Sequence, residues 1–167
     1  MALWSAKSAT WTPVAVADTV GMTNAGFVAL IGGSTTQVLK ISEVYEGGQA
    51  SVTSPMIMLL SRDSTVEVTP GALGAGQSLN VLDPATAALA APPIYFSSAG
   101  TVPQRSATLG LLNLSFNGWG GVVCWKSAQG EELLTLGNTA SFGEVSLSAY
   151  TGGTMSLMGS HIIFEPR

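Results

Sequence analysis

Residues 107–166 contain five apolar runs in close succession: ATLGLLNLSF (107–116), GVVCWKS (121–127), EELLTL (131–136), GEVSLSAY (143–150) and MSLMGSHIIFEP (155–166). How these are read decides the fold. Each has the length of a strand, and the residues between them are mostly Gly, Asn and Ser, the punctuation of antiparallel β-structure. In the fourth run Val145, Leu147 and Ala149 alternate with Glu144, Ser146 and Ser148. A period of two puts the first set on a core and the second toward water or a partner. The second run, Val122 to Trp125, is apolar on both parities and is predicted to be covered on both sides.

Working back toward the N-terminus, the pattern persists. Phe27 to Ile31 reads as a compact strand, and residues 35–46 as a long one with Leu39, Ile41 and Tyr45 on one parity and Lys40, Ser42 and Glu46 on the other. Residues 54–61 are apolar on both faces and are predicted to be central, with Arg62-Asp63 as a turn and Val66 and Val68 in a further strand. Residues 70–105 break the pattern with repeated Gly and Pro, and form a long excursion. One short helix is expected within it, because Asp83 can cap free N–H groups, Pro84 suits the first helical position and ATAALAA supplies helix formers up to Pro92. Residues 1–12 have no clean period and read as an N-terminal arm carrying Trp4 and Trp11. The remainder, 13–167, reads as one all-β antiparallel sandwich of about nine to eleven strands, a count that suits a jelly roll.

Composition narrows the function. The 167 residues are 46% hydrophobic but only 10% charged, against about 25% charged in an ordinary soluble domain. Charge keeps surfaces apart, so a chain this poor in it is expected to have much of its surface covered by other subunits. Two charge-free runs, 19–39 and 106–125, are long enough to cross a bilayer, yet Asn24, Gln37, Asn113, Asn117 and several glycines interrupt them, and no membrane span is expected. Residues 1–11 lack the apolar region of a secretory signal. A formal charge of −4 and six scattered basic residues argue against nucleic acid, which requires clustered Lys and Arg.

Chemistry is sparse. His161 is the only histidine and Cys124 the only cysteine, so neither a zinc site nor a disulfide can be assembled from them. Cys124, inside an apolar run, reads as a small buried hydrophobe. No Gly-x-Ser-x-Gly elbow surrounds a serine. Glu131 and Glu132 are adjacent, so in a strand they diverge. Glu43, Glu46, Glu67 and Glu144 read as solvated strand faces. The glycines at 71, 74 and 76 lack the Lys-Ser/Thr of a phosphate loop. No catalytic residue, cofactor or metal is assigned, and the chain is expected not to be an enzyme. Trp119, flanked by Gly118 and Gly120-Gly121, is a candidate ligand platform for carbohydrate. Trp4 and Trp11 in the arm, with Ile94, Tyr95 and Phe96 in the excursion, are candidate interface anchors, because buried aromatics dominate interface energies.

The uncharged Gly/Ala/Ser/Thr-rich composition and the ending EVSLSAYTGGTMSLMGSHIIFEP (144–166) resemble the small jelly-roll cement or decoration proteins of tailed bacteriophages. The resemblance rests on the C-terminal third and includes no diagnostic motif. It implies a virion structural protein, assembled in the host cytoplasm and seated on the capsid surface. Its implied partners are itself, as a homodimer or homotrimer, and the major capsid protein. A receptor- or glycan-binding β-sandwich of a tail or fibre is the alternative, and a polysaccharide hydrolase would require a pocket that gathers two carboxylates.

Overall fold

The computed structural model describes residues 2–17, 21–22, 26–65, 77–89, 93–96, 102–137, 143–151 and 155–167. Twelve strands follow in order: β1 (Trp4–Trp11), β2 (Ala15–Val16), β3 (Phe27–Ile31), β4 (Leu39–Gly48), β5 (Pro55–Thr65), β6 (Gln77–Val81), β7 (Ile94–Phe96), β8 (Gln104–Asn117), β9 (Val122–Lys126), β10 (Leu133–Leu134), β11 (Glu144–Tyr150) and β12 (Met158–Pro166). They form two six-stranded sheets. In the first the order is β10-β4-β12-β1-β6, with β9 also on β4; in the second it is β7-β3-β11-β5-β8, with β2 on β11. Every pairing is antiparallel except the two-residue contact of β2 with β11. The pairs β1 with β12, β3 with β11, β4 with β9 and β5 with β8 are nested, outermost with outermost and innermost with innermost.

The sheets close on one core. Ile41, Val44, Ile162 and Phe164 from the first pack against Met58, Leu60, Val145 and Leu147 from the second. Burying each such side chain fully contributes about 1.5–3 kcal/mol. The all-β sandwich expected from the five C-terminal runs is therefore the fold, and no helix occurs among the described residues.

Several local expectations are corrected. Residues 4–11 are not an arm: β1 lies between β12 and β6, hydrogen-bonded to both. The predicted helix after Asp83 is a single turn. The Asp83 carboxylate accepts from the Ala85 N–H at 3.0 Å and the Thr86 hydroxyl at 3.1 Å, so the capping was read correctly, but the described alanines do not continue a helix. The excursion 70–105 contains two strands, β6 and β7, and the start of a third, β8. Arg62-Asp63 is no turn but lies within β5. The strand expected at Val66 and Val68, the glycines at 71–76 and Glu67 lie outside the described residues.

In β4 the error was one of parity. Glu43 pairs with Ile163 but Ile41 pairs with Phe164, so Ser42 is an extra residue that bulges the strand. A bulge of one residue exchanges the faces beyond it. Leu39 and Ile41 point inward before it, and Val44 and Glu46 after it. Tyr45, expected on the same face as Leu39 and Ile41, lies on the other, and Glu46, expected in solvent, is buried inside the sandwich.

Candidate functional site

At the end of the sandwich where β4, β8 and β12 meet, three connections are bound to one another. Gly48 N–H donates to Gly121 O at 3.0 Å, Ala50 N–H to Gly118 O at 2.9 Å, Gly118 N–H to Ser54 O at 2.7 Å and Gln49 N–H to Leu157 O at 2.8 Å. The Asn117 carboxamide oxygen accepts from both Ser54 N–H (3.0 Å) and Trp119 N–H (2.9 Å). Glycine is required twice. A Cβ on Gly48 would lie 2.1 Å from Gly118 O, and Gly120 has φ +65°, a conformation open to glycine at little cost. This framework holds Trp119 out into solvent, 62% exposed, at the end where Val52 (69%), Val122 (74%) and Leu157 are also exposed. An indole held out on a fully hydrogen-bonded loop loses little further freedom when it binds.

The other sequence-predicted anchors are placed differently. Trp11 is buried in the protein's own core, its indole N–H donating to Ser160 Oγ at 2.9 Å. Trp4 is half-buried against the same core. Ile94, Tyr95 and Phe96 form β7, paired with Ile31, Leu30 and Ala29, and Ile94 packs with Phe27 and Ile31. Ile94 is thus packed on the second sheet and Trp11 in the core, while Trp119 is presented outward. Val52 and Leu157 were missed because a lone aliphatic in a loop carries no signal until the fold gathers several at one end, and Val122 because its apolar run was read as covered on both sides.

The outward face of the first sheet carries the polar cluster. The Tyr45 hydroxyl donates to Glu43, whose carboxylate also lies 3.0 Å from the Lys126 ammonium. Tyr45 and then Lys126 hold Glu43 below the usual carboxylate range, the Glu43 contact raises Tyr45, and Tyr45 and then Glu43 raise Lys126. The Tyr45 ring lies against the His161 ring, centroids 5.8 Å apart. Ser5 Oγ and His161 Nε2 are 2.7 Å apart, and burial, then Lys7, lowers the histidine's pKa. Beside them lies a recess of about 330 Å³ over Gly47 and Gly159, rimmed by Lys7, Tyr45, Val122 and His161. A nucleophile and a base are thus in contact. However, Ser5 lies in a strand paired on both sides, so its amide is committed to the ladder and cannot help form an oxyanion hole. A larger recess of about 880 Å³ has Lys40 between Glu132 (3.4 Å) and Glu165 (3.7 Å), where the charges satisfy one another.

Two carboxylates do meet, but in the interior. Asp63 and Glu144 sit on the outer face of the second sheet with Ser146 and Ser148, all buried. Ser146 Oγ donates to Asp63 at 2.6 Å, and Arg105 donates to Ser148 Oγ and Ala149 O at 2.8 Å each and to Val16 O. Burial, and then the neighbouring Glu144 carboxylate, raise Asp63 well above its ordinary range. The pair is buried, so it cannot flank a glycosidic bond; Arg105, through Val16 O and Ala149 O, ties the connection after β1 to the sheet. Glu144, like Glu46, is therefore not a solvated residue. Cys124, expected to be buried, is exposed on β9. Among the described residues no three His, Cys, Asp or Glu side chains could hold a metal ion, and no helix is long and apolar enough to cross a membrane. Comparison with known proteins finds no matching family model, no similar curated protein and no similar solved structure.

Proposed function

We propose that this chain is a non-enzymatic virion structural protein, a decoration protein that docks on the outer surface of a phage head and braces contacts between major capsid proteins. The observation that carries this reading is the Trp119 end, where an indole on a rigid loop shares one end of the sandwich with exposed Val52, Val122 and Leu157. Interface energy concentrates on a few such residues, tryptophan foremost. A cement protein performs no chemistry. It stabilises the shell by binding only the assembled form, and many copies multiply a modest contact. The nested strand pairing supports a jelly roll, a long antiparallel hairpin rolled on itself into two facing sheets, which is the fold the sequence resemblance implies. The contact moves from the N-terminal strand, whose tryptophans pack on the protein's own core, to the loop that joins β8 to β9. Trp119→Ala tests it: the melting temperature stays unchanged while capsid affinity falls by a factor of about ten or more, a loss of at least about 1.4 kcal/mol, read as lost occupancy. Full occupancy in this variant sinks the proposal.

A second reading, a receptor- or glycan-binding tail or fibre module, is favoured by the same exposed indole, since a flat aromatic face suits a sugar ring. A specific glycan-array signal that Trp119→Ala abolishes would promote it over the first.

A further inference from the structure

Among the described residues the fold leaves one long edge open. β8 is fourteen residues long and lies at the end of its sheet with β5 on one side. Among the described residues its other side meets only Gly21, at Gln104. An edge strand exposes a row of unpaired N–H and C=O groups, and monomeric proteins normally block such rows with charge, proline or bulges. Residues 106–117, SATLGLLNLSFN, contain neither a charged residue nor a proline. Bulges interrupt the pairing with β5 between Arg105 and Leu112, but from Leu112 to Asn117 it is regular, residue for residue. Among the described residues the C-terminal half of β8 is therefore a regular and unguarded edge.

We propose that this edge pairs with the same edge of a second copy of the chain, forming a two-fold dimer through antiparallel β8–β8 contact. Strand length selects the occupant. The remaining edge strands among the described residues are β7 with three residues, β6 and β9 with five each, and β2 and β10 with two each, so none of them matches β8 in length. An isologous contact also closes on itself and leaves no edge free to propagate. Register follows from the side chains. Leu114 is buried and Leu112 and Phe116 are half-buried on the core side, while Asn113 and Ser115 are exposed. Continuity of the core face requires directly opposed residues to share a face. A two-fold axis at Leu114 achieves this: Leu112 opposes Phe116, Leu114 opposes its own copy and Asn113 opposes Ser115. Apolar meets apolar and amide meets hydroxyl, with no charge to repel. The proposal holds whether or not the Trp119 end docks on a capsid, since that end is formed by different residues.

Sedimentation equilibrium on the intact chain tests it, with Asn113→Lys/Ser115→Lys as the variant. Both positions are exposed, so the fold is retained, as far-UV circular dichroism and the melting temperature check. Across the axis each new lysine opposes another. The wild type is expected to be a dimer and the variant a monomer, its dissociation constant raised at least about a hundredfold by opposed like charges. Trp119→Ala is expected to remain a dimer. Asn113→Cys/Ser115→Cys in a Cys124→Ser background is expected to form an interchain disulfide under mild oxidation. A wild type that stays monomeric up to its solubility limit, a three-fold assembly, or a lysine variant that dimerises normally would each overturn the proposal. Loss of capsid binding by Trp119→Ala with the dimer intact leaves it standing.

Discussion

β9 and β11 exchange the environments that their sequences suggest. VVCWK in β9 is apolar on both parities, yet Val122, Cys124 and Lys126 are exposed and only Val123 and Trp125 pack on the core. EVSLSAY in β11 alternates cleanly, yet Glu144 to Ala149 are buried on both faces. The difference is position. β9 pairs only with β4 at the margin of its sheet, whereas β11 is central between β3 and β5 and its serine face is covered. Serine suits that covered face because its hydroxyl can meet buried partners, as Ser146 does with Asp63 and Ser148 with Arg105. Alternation reports that the two faces differ in chemistry, and what lies over each face decides burial.

The largest expected effect lies on the β11 side. Arg105→Ala leaves Asp63, Ser148 and two carbonyls without their cation or donor, and removing one member of a buried charged set costs about 3–5 kcal/mol. Urea denaturation reads this directly; a loss below about 1 kcal/mol, within the range of surface changes, would mean that the β11 outer face is not sealed.

Next in size is Glu46→Met in β4, the strand beside β9. The Glu46 carboxyl oxygens are buried without a hydrogen-bond partner, and burial raises its pKa well above 4.5. The sign follows from linkage. The folded state holds a proton that the unfolded state releases above 4.5, so the stability associated with this group is full below that pH and is lost as pH rises toward the folded pKa. Replacing it with an apolar side chain is expected to stabilise the protein by about 1–3 kcal/mol at neutral pH, with the gain shrinking as pH falls toward 4.5. His161, whose pKa is lowered, acts in the opposite direction in the wild type, losing stability on acidification. The difference between variant and wild type cancels that contribution and isolates Glu46. A gain that does not depend on pH would place the carboxylate in water.

The smallest effects belong to β9. Val122→Ser and Cys124→Ser are each expected to change stability by no more than about 0.5 kcal/mol. The native Cys124 thiol should react with an aromatic disulfide reagent as fully as in denaturant. A thiol that needs denaturant would return β9 to the interior.

Much of the fold was legible. The runs at 143–150 and 155–166 are β11 and β12, and the Gly/Asn/Ser punctuation set the antiparallel class. The exposed loop position of Trp119 was legible because glycines on both sides of an aromatic mark a loop. Trp4 and Trp11 were misplaced because β1 has no clean period of its own and becomes a strand only by pairing with β6 and β12. Glu46 was hidden by the Ser42 bulge, which exists only in register with β12. The Asp63–Arg105–Glu144 cluster joins residues far apart in the chain.

By itself the sequence determined the all-β class, the positions of most strands and a surface poor in charge, because period-two patterning and turn residues are local and act over a few neighbours. The tertiary structure alone decided which strand faces are covered, which way Glu46 and Tyr45 point, and that β8 ends its sheet among the described strands. Burial and register are properties of what packs on a strand, and the packing elements come from distant parts of the chain.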